Sequence, residues 1–122
     1  MDEIEPPLRA LRDAADAVRE SNHTAHRASR VPVELYRRLG TLVEVLGYLR
    51  QTTQMIRGQV GKIDEAAEAD GLIVGSDDAT LPRDHSETIF WGLSRVESAL
   101  VDAVAAGNEA CSALGHLKLV DS

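Results

Sequence analysis

The chain is expected to be all-α, an antiparallel three-helix bundle with two long coiled-coil-like helices and a shorter N-terminal helix. Three observations carry that expectation. Apolar residues recur at alternating spacings of three and four along three separate segments. Prolines stand where helices begin, at Pro6-Pro7, Pro32 and Pro82. No segment alternates with the period of two that a half-buried strand needs.

The first helix is placed at about residues 6–28. Its apolar line runs Ile4, Leu8, Leu11, Ala15, Val18, Asn22, Ala25 and Ser29. Asn22 puts a polar group on that line, where it sets register or partner choice at some cost in stability. The second helix spans about 32–69 along Leu35, Leu39, Leu42, Leu46, Leu49, Thr53, Ile56, Val60, Ile63 and Ala67. The third spans about 83–118 along Ile89, Leu93, Val96, Leu100, Ala103, Gly107, Ala110, Leu114 and Leu117. A mean spacing of 3.5 keeps one seam toward a partner and implies left-handed supercoiling.

The short link from Ser29 to Pro32 makes the first two helices antiparallel neighbours. An acidic loop at about 70–82 joins the second to the third and contains Gly71, Gly75, Asp77 and Asp78. Pairing the two long helices in register sets Leu46 against Gly107 and Leu42 against Ala110, large against small. The first helix would then cover Leu35 to about Val60. The 122 residues form one helical-bundle domain, 1–122, with a dry, filled core.

Composition narrows the function. Twenty acids against thirteen bases give a net charge of −7, and aromatic residues are few: Tyr36, Tyr48, Phe90 and Trp91. A free-standing nucleic-acid binder wants a basic surface and stacking platforms, so that class is disfavoured. Residues 31–62 are nevertheless locally basic, with Arg37, Arg38, Arg50, Arg57 and Lys62 on the second helix. They keep an accessory role on nucleic acid as an alternative. No apolar run approaches the roughly 18 residues of a membrane span, so no membrane partner is expected. Met1–Glu5 is too acidic for a secretory leader, and the expected location is the cytoplasm.

No motif for catalysis or a cofactor stands out. There is no Gly-x-Ser-x-Gly elbow, phosphate loop or dinucleotide fingerprint. The single Cys111 sits beside the third seam, which suits packing rather than chemistry. His23 and His26 share a helix face but lack the third ligand that zinc requires. The chain is therefore expected to be no enzyme and to carry neither metal nor cofactor.

Residues off the seams are the candidates for partner binding. Gly40, Gly47 and Gly61 recur at multiples of seven on the second helix, and each mid-helix glycine costs about 1 kcal/mol. Beside them run Tyr48, Gln51 and Met55, with no acid between Glu44 and Asp64. A helix face this bland in an acidic protein is expected to be a contact surface, most simply a two-fold homodimer across the second helix. Trp91 lies on the back of the third helix and is the natural aromatic anchor. Asp77 and Asp78 form a second candidate contact. The candidate partner residues are thus Gly40, Gly47, Tyr48, Gln51, Met55, Trp91, Asp77 and Asp78.

Three resemblances rest on short motifs. The Pro-Pro-Leu-Arg-Ala-Leu-Arg start, the run Asn22-His23-Thr24-Ala25-His26-Arg27 and the Ala-rich third helix resemble small helical proteins of actinobacteria, including those of phage and mobile-element regions, which implies no particular activity. Phe90-Trp91-Gly92 is similar to the Trp-x-Gly turn of the helical hairpins exported by type VII secretion. Here Trp directly precedes Gly inside a helix, and the charged export tail is missing. Leu8–Asp13 looks like the opening helix of the helical chorismate mutases, which grip a dianion with inward Arg and Lys. The seam of the second helix here carries neither.

Overall fold

A computed structural model describes residues 5–28, 30–62 and 82–117. Over these residues the chain is helical, with three α-helices: α1 at Pro6–Thr24, α2 at Pro32–Val60 and α3 at Pro82–Gly115. A single 3-10 turn, Ala25–Arg27, follows α1. No described residue is in a strand. The second helix ends at Val60, with Gly61 and Lys62 in a turn where helix was expected; residues 63–69 and the acidic loop at 70–81 lie outside the described residues. The chain divides into two compact units, Met1–Val31 and Pro32–Ser122.

In the first unit, α1 opens on Pro6 and Pro7, whose missing N–H groups cost nothing in a first turn. Arg19 reaches Asp16 at 2.7 Å one turn back. The helix ends where the Thr24 hydroxyl bonds back to the carbonyls of Glu20 and Ser21, at 3.3 and 3.2 Å. Such local bonds compete with helix propagation, and the chain tightens into the 3-10 turn four residues before the expected end. Leu8, Leu11 and Val18 of its apolar line are exposed.

In the second unit α2 packs on α3. Contacts fall on α3 in reverse order along α2. Tyr36 lies beside Gly115, Val43 beside Gly107, and Gln54 and Arg57 beside Glu97. Leu39, Leu46 and Val60 on α2 and Leu93, Leu100, Gly107 and Leu114 on α3 are half-buried along this line. Thr53 is the buried member, at 9% exposure, and its hydroxyl donates to the Leu49 carbonyl at 2.8 Å. That bond removes the cost of a hydroxyl inside the contact.

The observed contact line corrects the expected seams. Leu42 is 51% exposed, Leu49 39% and Ile56 40%, and Ile89, Val96 and Leu117 are exposed as well. The half-buried neighbours are instead Val43 and Arg57 on α2 and Glu97, Val104 and Cys111 on α3. The reason is local. Gly107 leaves room for Val43, and the Arg57–Glu97 pair draws its own flank inward. Nor do the described residues show the dry, filled core that the heptads suggested. No described apolar side chain is fully buried. Two helices bury one stripe on each other, and a second stripe on each is left uncovered.

Candidate functional site

The outward face of α2 gathers three of the candidate residues. Gly47, Tyr48 and Gln51 line an open depression of about 460 Å³ together with Glu44, Arg50 and Gln54, and Val104 of α3 closes one side. The spacing explains the grouping. Positions 47, 50, 51 and 54 lie within one helical flank at steps of three and four. Gly47 has no side chain to fill the concavity, and a Cβ placed there would meet nothing within 4 Å. The same is true of Gly40, seven residues earlier. Among the described residues, nothing fills the space a side chain would take at either glycine. Gly61 lies in the turn after α2, where an added Cβ would meet only the carbonyls of Arg57 and Gly58.

Tyr48 is fixed at the rim by its own turn. Its hydroxyl donates to Glu44 Oε1 at 3.0 Å. That hydrogen bond, and then the carboxylate's charge, hold the phenol pKa above its usual range. The neutral phenol is the form favoured by folding. Any stability linked to it is therefore present below the ordinary phenol range and lost as pH rises through the raised value. Ultraviolet titration of the Tyr36→Phe protein should show Tyr48 ionising above the free phenol. Adding Glu44→Gln should bring it down, and an unchanged curve would show that Glu44 does not hold it.

Met55 and Trp91 project from the unit at 67% and 66% exposure. Neither lines the depression. Trp91 instead meets Phe90 edge-on, with ring centroids 5.7 Å apart. The Arg57 guanidinium lies 5.6 Å from the Phe90 centroid. Arg57 also pairs with Glu97 Oε2, and Glu97 Oε1 accepts from Gln54 Nε2 at 2.7 Å. Gln54, Arg57, Glu97, Phe90 and Trp91 therefore form one chain of contacts across the helix pair. Sequence reasoning assigned Arg57 to a basic face and missed Glu97. The signal was available: the expected register already set positions 54–57 opposite 95–98, where Glu97 stands beside the third seam across from Arg57. Asp77 and Asp78 lie outside the described residues.

The basic face of α2 is partly neutralised. Arg57 is paired as above, and Arg37 lies 3.1 Å from Glu34. Among the described residues no group of three or more His, Cys, Asp or Glu could hold a metal ion. None of their helices is long and apolar enough to cross a membrane. The depression is lined by one carboxylate, one guanidinium, two amides and a phenol, with the phenol bonded to the carboxylate. Such a surface can accept and donate hydrogen bonds around a small apolar patch.

Comparison with models of known protein families, with curated proteins and with solved structures finds no match.

Proposed function

We propose that the chain is a non-enzymatic protein-binding module whose working part is an antiparallel α2–α3 hairpin of coiled-coil character. The observation that carries this reading is the depression around Gly47. It joins an unfilled backbone notch, an exposed tyrosine and two exposed amides on a flank of α2 where no described residue fills the notch. Tyr48, Met55 and Trp91 offer large amphipathic area at low entropic cost, as partner-binding surfaces do. The reverse order of the α2–α3 contacts supports the hairpin.

The partner reading has two parts. An unrelated protein occupies the Tyr48 face, and a second copy of the chain pairs with the hairpin. For the first part, the full chain carrying Gly47→Arg or Tyr48→Ala is compared with the wild type in affinity capture from its native cell, followed by mass determination of the complex. The wild type should recover a complex of defined mass, and both variants should lose it while keeping their helical circular dichroism. Equal recovery by all three proteins would contradict the assignment of this face.

A further inference from the structure

Each helix of the hairpin carries an apolar line that its partner does not cover. On α2 the line is Leu42, Leu49 and Ile56, all exposed, one heptad apart. On α3 it is Ile89, Val96, Ala103, Ala110 and Leu117, again one heptad apart and exposed but for the half-buried Ala103. Each of Leu42, Leu49 and Ile56 stands one residue before the flank of Val43, Arg50 and Arg57. Val96, Ala103 and Ala110 stand one residue before Glu97, Val104 and Cys111. With contacts running in opposite directions, equal displacements on the two helices fall on the same side of the pair. The two lines therefore share one face, away from the depression at Gly47. Adjacent positions on that face are Val45, Thr52 and Gln59 on α2, and Gly92, Ala99, Ala106 and Ala113 on α3. It carries no charged residue between Leu42 and Gln59 or between Ile89 and Ala113.

We propose that this charge-free face is where a second copy of the chain binds, back to back, to form a two-fold four-helix assembly. The assignment rests on the self-association half of the reading above and gives it a place. Three properties select a second copy as occupant. The register of the face allows it to pair with itself. A two-fold axis parallel to the helices keeps the register of the hairpin, so Leu42 of one copy meets the level of Ala110 in the other. Leu49 then meets Ala103, and Ile56 meets Val96. Leucines on α2 oppose alanines on α3 at two of these three levels, and two branched aliphatic side chains meet at the third.

Charge selects the same arrangement. Pro32–Val60 holds four arginines against two acids, while Pro82–Gly115 holds five acids against two arginines. Laying α2 of one copy on α3 of the other sets basic helix against acidic helix. The alternative, α2 on α2, opposes like charges. The area is sufficient as well. Twenty-nine residues of α2 span about 43 Å, and two helices side by side are about 20 Å wide. That gives about 850 Å² per subunit, close to what a standard specific interface buries.

Sedimentation equilibrium of the full chain tests the assignment. The expected result is a dimer of twice 13.2 kDa at micromolar concentration. Leu49→Lys and Ala103→Lys each bury an unpaired ammonium in an apolar contact, and each should raise the dissociation constant at least about 100-fold. Circular dichroism of the same samples checks that the helices persist. Gly47→Arg, on the opposite flank, should leave the dimer intact. A wild type that stays monomeric at 100-fold higher concentration overturns self-association altogether. A dimer that survives both lysine variants but is lost in Gly47→Arg keeps self-association and overturns this face. If Leu49→Lys loses its helical signal, Ala103→Lys decides, because a lysine on α3 tests the same contact from the other side.

Discussion

Gly107→Val is expected to destabilise the α2–α3 pair by about 2–3 kcal/mol, seen as an earlier urea midpoint with little change in slope. A Cβ built on Gly107 falls 2.6 Å from Val43 Cγ2. Valine in a helix holds essentially one rotamer, so Val43 cannot swing away without strain. The helices must part, and the half-buried Leu46 and Leu100 lose contact with them. Gly107→Ala should cost less, about 1 kcal/mol, because better helix propensity offsets part of the crowding. Adding Val43→Ala to Gly107→Ala should recover that loss, since the offending methyl is gone. Gly47→Ala is the control. It adds a methyl into open space and should stabilise by about 1 kcal/mol. Equal responses at positions 47 and 107 would show that Gly107 is not the point of close approach.

This glycine illustrates what the sequence carried and what it did not. The period of 3.5, the proline starts and the large-to-small pairing were all legible, and they place Gly107 in the helix contact. Its partner was off by one turn of the contact line, Val43 in place of Leu46. Periodicity alone does not separate two adjacent apolar flanks of a helix. Leu42 and Val43 both satisfy it, and the choice falls to side-chain size and polar pairing on the facing helix. The same ambiguity moved Leu49 and Ile56 from the expected seam to an exposed line.

Glu97→Ala is expected to cost about 2 kcal/mol, more than loss of the exposed Arg37–Glu34 or Arg19–Asp16 pair. The Glu97 side chain is 14% exposed and that of Arg57 30%. Removing the carboxylate leaves the Arg57 guanidinium without its acceptor in a partly desolvated place, and the exposed Gln54 amide turns to water. Glu97→Gln should cost less, because an amide oxygen still accepts from Arg57. Arg57→Met with Glu97→Leu should regain most of the loss, as a well-packed apolar pair often replaces a buried ionic one at little cost. By contrast, Arg37→Ala should change stability by no more than about 0.5 kcal/mol, since the Arg37–Glu34 pair is exposed. Urea denaturation of the four proteins measures all of this. A Glu97→Ala loss as small as that of Arg37→Ala would contradict the polar contact across the helices.

The candidate site was legible in part. Gly47, Tyr48 and Gln51 could be grouped from spacing alone, because one helix carries them. Val104 could not, since it enters from a helix whose rotation the sequence left open. Trp91 was singled out for its position off the seam, and its exposure agrees. Its contact with Phe90, and through it with Arg57, depends on side-chain directions that no spacing encodes.

Photo-crosslinking from two positions of α2 in the native cell tests the central claim most directly, that this helix presents two faces to two different proteins. Gln51 lines the depression, and Leu49, two residues away, lies on the charge-free line. A photoreactive residue at 51 should give an adduct with an unrelated protein, lost when Gly47→Arg is added. One at 49 should give an adduct of twice the chain's mass. Identical adducts from both positions, or none from either, would contradict the account.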